Sequence, residues 1–203
     1  MDGVLFDTAE ASQKTTLDLY PGMTKEMMKE VLCGNFHEEL VKYSYLKKEE
    51  TEEERNIRKK KYSELKSKMP LFGGVKEMLE KLHQDRFTIV LNTSAYDRNC
   101  LPLLENSQIT HLVDFAATSD FSKSKVEKFK LIEQKFDSNE INTLFVTDTL
   151  GDVREADLAH VSTVAVTWGA HSRKFFGREE HQNLIKIVDT VDELENFIEQ
   201  YWK

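Results

Sequence analysis

Residues 143–156, Thr-Leu-Phe-Val-Thr-Asp-Thr-Leu-Gly-Asp-Val-Arg-Glu-Ala, constrain the fold more than any other part of this chain. An apolar run ends at Asp148, a turn follows, and Asp152 opens a helical pattern. The segment therefore reads as strand, turn and helix, with two carboxylates at the strand's C-terminal edge. In an open α/β sheet that edge is where ligands bind. Two carboxylates across such a turn suit a hard, oxygen-seeking cation such as Mg2+, which keeps waters and shares its other positions with substrate phosphate. The competing reading is structural, with Asp152 as a helix N-cap and Asp148 as a turn residue.

The same alternation recurs along the chain. Residues 87–91 form a β-branched apolar strand ending in Asn92, Thr93 and Ser94, and residues 112–117, 161–167 and 187–189 read as further strands. Helical patterns lie between them: Val75, Met78, Leu79 and Leu82 recur at helical spacing, as do Phe129 and Ile132, and residues 191–202 close the chain. Strands separated by helices imply a parallel sheet covered on both faces. Residues 9–70 break the alternation. They read as helices over 23–32, with Gly34 as a stop, over 37–46, and over a charged run at 49–68 whose acids precede its bases, as the helix dipole favours.

A chain of 203 residues, 39% hydrophobic, is long enough for one domain with a real core and a small second lobe. No apolar run approaches the roughly 20 residues that cross a bilayer, and the N-terminus carries no signal-peptide pattern, so a cytoplasmic protein is expected. Cys33 and Cys100 lack metal-ligand spacing and read as ordinary thiols. A formal net charge of -8 argues against general nucleic-acid binding.

The opening, Met-Asp-Gly-Val-Leu-Phe-Asp-Thr, resembles the first motif of haloacid-dehalogenase-like phosphatases, in which an apolar strand delivers Asp-x-Asp-Gly-(Thr/Val)-Leu-x-Asp-(Ser/Thr). Met1 falls on the middle residue, Asp2 on the second aspartate, and Gly3, Val4, Leu5, Asp7 and Thr8 on matching positions. The first aspartate, the family's nucleophile, would lie one residue before Met1. The later motifs follow in order, and the phosphoglycolate phosphatase and β-phosphoglucomutase group is the nearest in pattern. The resemblance implies a Rossmann-like three-layer core with a parallel sheet, over residues 1–12 and 71–203, and a helical cap over 13–70. It implies that Asp2 serves as the acid/base, and that Thr93, with Asn92 and Ser94 as alternatives, holds a phosphoryl oxygen. A lysine, Lys123 in preference to Lys125, neutralises the transferring phosphate, while Lys128 and Lys130 are expected at the surface. Asp148 coordinates Mg2+, as does the backbone carbonyl of Asp2, and Asp152 orients the lysine or a metal-bound water. Thr147 and Ser124 replace the family's usual Gly and Pro.

These readings lead to a Mg2+-dependent phosphatase for a small phosphorylated metabolite, with no nucleic acid or membrane as partner. Either the functional start lies upstream of Met1, which the maintained later motifs favour, or the chain is a non-catalytic relative that keeps a phosphate- and metal-binding pocket. Using Asp7 as nucleophile would leave Ala9 where the acid/base belongs. A phosphoglucomutase-like phosphotransferase is the enzyme alternative. Dehalogenase chemistry is disfavoured, because displacing halide needs no proton donor at Asp2.

Overall fold

The computed structural model describes residues 1–138 and 142–202. After a tight turn at the amino end come α1 (Ala9–Leu19), α2 (Lys25–Val31), α3 (Phe36–Lys42) and α4 (Glu52–Lys66). The chain continues through α5 (Val75–Gln84), β1 (Val90–Asn92), α6 (Asp97–Asn106), β2 (Phe115–Ala117), α7 (Lys125–Phe136) and β3 (Phe145–Thr147). It ends with α8 (Leu150–Leu158), β4 (Thr163–Val166), α9 (Arg173–Phe176), β5 (Leu184–Val188) and α10 (Val191–Tyr201).

The strands pair in parallel, β1 with β2 and, in a second group, β3 with β4 and β4 with β5. Every residue of β4 is buried, as expected for a parallel strand covered on both faces. Helices α5 and α10 pack together over one side, and Val75, Met78, Leu79, Leu194 and Ile198 join Val164 and Val188 in the main core. On the other side α7 and α8 pack against each other, with Phe129 and Ala156 in a common cluster. This is the three-layer α/β arrangement expected from the alternating pattern.

Helices α1, α2 and α3 bury their own cluster around Tyr20, Met23, Met28 and Val31, with Leu17 and Leu40 packed against it. Helix α4 begins with a capping box, Thr51 and Glu54 satisfying each other's backbone N–H groups. Helix α1 runs unbroken across residue 12. The outgoing and returning chains lie side by side, Asp7 N–H donating to the Pro70 carbonyl at 3.0 Å and Phe72 N–H to that of Leu5 at 2.9 Å.

Residues 4–6 are buried in a turn, and Phe6 bridges to Leu71. No strand delivers Asp7, which is exposed, so the sheet-edge placement required of a nucleophile is not met there. Cys33 and Cys100 are buried free thiols. Among the described residues, no helix is long and apolar enough to cross a membrane.

Candidate active site

The turn at the amino end meets the C-terminal edges of β1 and β3. Asp148, directly after β3, is buried, and its Oδ2 accepts the Ala170 N–H at 2.8 Å. Two glycines make its enclosure possible. A Cβ on Gly3, whose φ is +66°, would lie 1.8 Å from Asp148 Oδ2, and one on Gly169 would lie 2.4 Å from Asp148 Cβ. Burial pushes the Asp148 carboxyl up, and although the Ala170 N–H opposes this, the neighbouring Asp152 charge adds to it, leaving it at about 6.

The N-cap of α8 is Thr149, whose hydroxyl accepts the Asp152 N–H at 3.3 Å. The structural alternative for Asp152 as N-cap therefore fails, and its carboxylate points elsewhere. Asp152 Oδ2 accepts the Thr147 hydroxyl at 2.8 Å and lies 3.3 Å from Lys125 Nζ. Buried Lys125 also donates to the Asn92 carbonyl at 3.0 Å, while Asn92 Nδ2 donates back to the Lys125 carbonyl at 3.2 Å.

The fold places the two lysines differently. Ser124 caps α7, so Lys125 is the first helical residue and turns onto β1, whereas Lys123 lies in the loop before it, exposed. The Lys123 carbonyl accepts from Asn35 at 3.0 Å. Lys130 is exposed, but Lys128, expected at the surface, is fully buried and donates to the Thr93 carbonyl at 2.7 Å. Burial, reinforced by the Lys125 charge, brings the Lys128 ammonium down to about 7.

Thr93 is buried beside this cluster, its hydroxyl accepting the Ala95 N–H at 3.1 Å. Ser94 is half-buried and its carbonyl accepts the Ser119 hydroxyl. Asn92 Oδ1 is buried with no donor among the described residues.

Asp2 pairs with Lys66, at the end of α4, at 2.7 Å. Burial alone would raise the Asp2 carboxyl, but the Lys66 and N-terminal charges hold it below its ordinary value. The Met1 ammonium is itself buried and pushed down by that burial, with Asp2, Asp148 and Asp152 opposing and Lys125 reinforcing the shift.

Sequence reasoning missed Lys66, which sits in a run of bases where nothing distinguishes it from its solvated neighbours. His171 lies in the loop between β4 and α9. The ring is fully buried, with Nδ1 accepting the Leu150 N–H at 2.9 Å, Nε2 donating to the Lys29 carbonyl at 3.0 Å, and Phe175 stacked at 4.2 Å. The imidazole thus ties the first turn of α8 to α2.

The arrangement joins a buried carboxylate, a carboxylate–ammonium pair and a cation-held acid at one sheet edge. Among the described residues, no three His, Cys, Asp or Glu side chains converge as a metal cage. Mg2+ ordinarily uses one or two protein carboxylates and keeps its waters, and a buried Asp148 whose ionisation is disfavoured fits such a cation.

A family model described as haloacid dehalogenase-like hydrolase matches residues 1–166. A phosphoglycolate phosphatase of Aliivibrio fischeri is 32% identical over 102 residues, covering 49% of this chain and 45% of that protein. The match thus spans less than half the length of that relative. The crystal structure of a predicted phosphatase from Clostridium acetobutylicum superposes with a TM-score of 0.77 at 20% identity, over 98% of this chain and 95% of that one. A β-phosphoglucomutase from Clostridium difficile superposes with a TM-score of 0.76 at 18% identity, over 98% and 93% of the two chains. At such identities the superpositions speak to the fold alone.

Proposed function

The chain belongs to the haloacid dehalogenase-like hydrolases, and from that premise we propose that it is the scaffold of a cytoplasmic, Mg2+-dependent phosphatase for a small phosphorylated metabolite. The observation that carries this reading is the convergence of Asp148, Asp152 and Lys125 at one sheet edge.

In this reading Asp148 holds Mg2+, with the backbone carbonyl of Asp2 as a second contact. Held there, the ion would neutralise charge on the phosphoryl oxygens. Lys125, in preference to Lys123, offers an ammonium to the phosphate, and Asp152 fixes its position, with Thr147 fixing Asp152 in turn. Thr93 and Ser94 line the phosphoryl side.

In the two-step chemistry of this reading the attacking carboxylate would stand on an aspartate one position ahead of the residue matched by Met1, which this sequence does not show. Its oxygen bonds to phosphorus as the ester oxygen leaves, taking a proton from Asp2. Asp2 then takes a proton from water, whose oxygen displaces the carboxylate and releases phosphate. Asp2 must be protonated for the first step, and its pairing with Lys66 favours the ionised form. That pairing supports the second reading, a non-catalytic phosphate- and metal-binding relative. A phosphoglucomutase-like phosphotransferase would differ by passing the phosphoryl group to a sugar.

The test compares this chain with a form extended at Met1 by an apolar strand ending in Asp, using p-nitrophenyl phosphate and Mg2+. Turnover is expected from the extended form alone, and equal turnover by both would sink the assignment. Asp148→Ala should abolish Mg2+-induced thermal stabilisation; an unchanged response would remove Asp148 from the metal site.

A further inference from the structure

The chain leaving β1 is fixed through three consecutive carbonyls. That of Asn92 accepts from Lys125 Nζ at 3.0 Å, that of Thr93 from Lys128 Nζ at 2.7 Å, and that of Ser94 from the Ser119 hydroxyl at 2.8 Å. A peptide unit is planar and trans, so the direction of each carbonyl also sets the next residue's N–H, which points the opposite way. Two of these N–H groups are used inside the protein. Thr93 donates to the Ala117 carbonyl at 3.0 Å, and Ala95 to the Thr93 hydroxyl at 3.1 Å. The Ser94 N–H, on the peptide unit that Lys128 holds, has no acceptor among the described residues, and Ser94 is only half-buried.

Fold stability alone does not account for a lysine at position 128. Its side chain is fully buried in α7. Lys125 of the same helix, Asp152 and Glu155 of α8, and His37 of α3 all lie within range of its charge, yet among the described residues no carboxylate is in contact with it. Lys125, by contrast, lies 3.3 Å from Asp152. A buried cation with no carboxylate partner opposes folding, and a methionine of similar volume would fill the same space without a charge to desolvate. An anion beside the Thr93–Ser94 peptide would change that balance. It would accept the free Ser94 N–H and supply the counter-charge that Lys128 lacks.

We propose that Lys128 is a positioning residue of the phosphoryl pocket: by holding the Thr93 carbonyl from inside α7, it turns the Ser94 N–H toward the phosphoryl oxygens. This rests on the reading of Thr93 and Ser94 as the phosphoryl side. Lys128 acts through the peptide unit, and Lys125 remains the cation offered to the phosphate.

The test titrates this chain, Lys128→Met and Lys128→Gln with inorganic phosphate, followed by NMR at the backbone amides. In the unsubstituted chain phosphate should shift the Ser94 amide more than those of Thr93 and Ala95, whose N–H groups are already bonded. Lys128→Met should weaken phosphate binding by roughly tenfold or more, as loss of a charge-assisted contact does, and remove the Ser94 shift. Lys128→Gln, which keeps an N–H donor, should restore part of that shift. A merely structural role would alter thermal stability and leave phosphate affinity unchanged. Equal affinity with an equal Ser94 shift in Lys128→Met would therefore overturn the positioning role and leave the phosphatase reading in place. The Lys128 Cε signal of the unsubstituted chain should move along the same binding curve as the Ser94 amide, a readout that needs no variant, and an unmoved signal would also overturn the role. Phosphate that fails to bind, or binds without moving Ser94, would overturn the positioning role and the phosphoryl pocket together. If phosphate binding at Ser94 depends on Lys128 while the extended form gives no turnover, the phosphatase reading fails and the positioning role stands.

Discussion

Lys66 and Asp2 illustrate how a single ion pair couples the helical insert to the sheet edge. Lys66 is 3% exposed at its side chain, and Asp2 is its carboxylate partner. Asp2 is a third exposed at its side chain, so the charge left by Lys66→Met is partly hydrated and the variant should cost about 1–3 kcal/mol in urea unfolding. It should also raise the Asp2 carboxyl. Lys128 gives a test with a definite sign. Its ammonium is near 7 folded and has an ordinary value of 10.5. Between those values the unfolded chain binds the additional proton, so stability should rise with pH across about 7 to 10.5. The slope is at most about 1.4 kcal/mol per pH unit. Lys128→Met should flatten that slope in denaturation series at several pH values. Asp148 and Asp152 were legible as a strand-edge pair because an apolar run followed by acids marks the edge. The different placement of Lys123 and Lys125 was not, since it turns on Ser124 being the N-cap of α7, a local event that charge spacing does not register.

At the scale of elements, the contact between α8 and the turn after α2 is as close as backbone allows. Gly151 N–H donates to the Leu32 carbonyl at 2.9 Å, and a Cβ there would lie 2.2 Å from the Gly34 carbonyl oxygen. Gly151→Ala must push backbone from backbone, so a loss of about 1–3 kcal/mol is expected, measured by thermal or denaturant unfolding. Helices α5, α7 and α10 followed from apolar periodicity, with buried residues at the expected spacing. Strands β1, β2 and β4 were longer in the reading than in the fold and β5 was shorter: residues 87–91 read as a strand where β1 occupies Val90–Asn92, and 187–189 where β5 occupies Leu184–Val188. Apolar, β-branched composition registers burial, while a strand also needs a hydrogen-bonded neighbour, and residues 87–89 line a cavity.

Across the whole molecule, two kinds of contact hold the helical insert to the core. Arg178 pairs with Glu30 at 2.9 Å in a largely exposed bridge, and buried His171 reaches the Lys29 carbonyl. Arg178→Ala should therefore cost less than about 1 kcal/mol. His171→Ala should cost about 2–3 kcal/mol, since it strands the Leu150 N–H and the Lys29 carbonyl and leaves a void. Denaturant midpoints of the two variants, compared at equal slope, check the ranking. Helix α10 closes onto α5, where Lys81 pairs with Glu195 and Glu199. During synthesis α5 leaves the ribosome more than a hundred residues before these partners exist. Its apolar face, Val75, Met78 and Leu79, must then wait uncovered for α10, an interval in which a chaperone has its chance to bind and aggregation has its own.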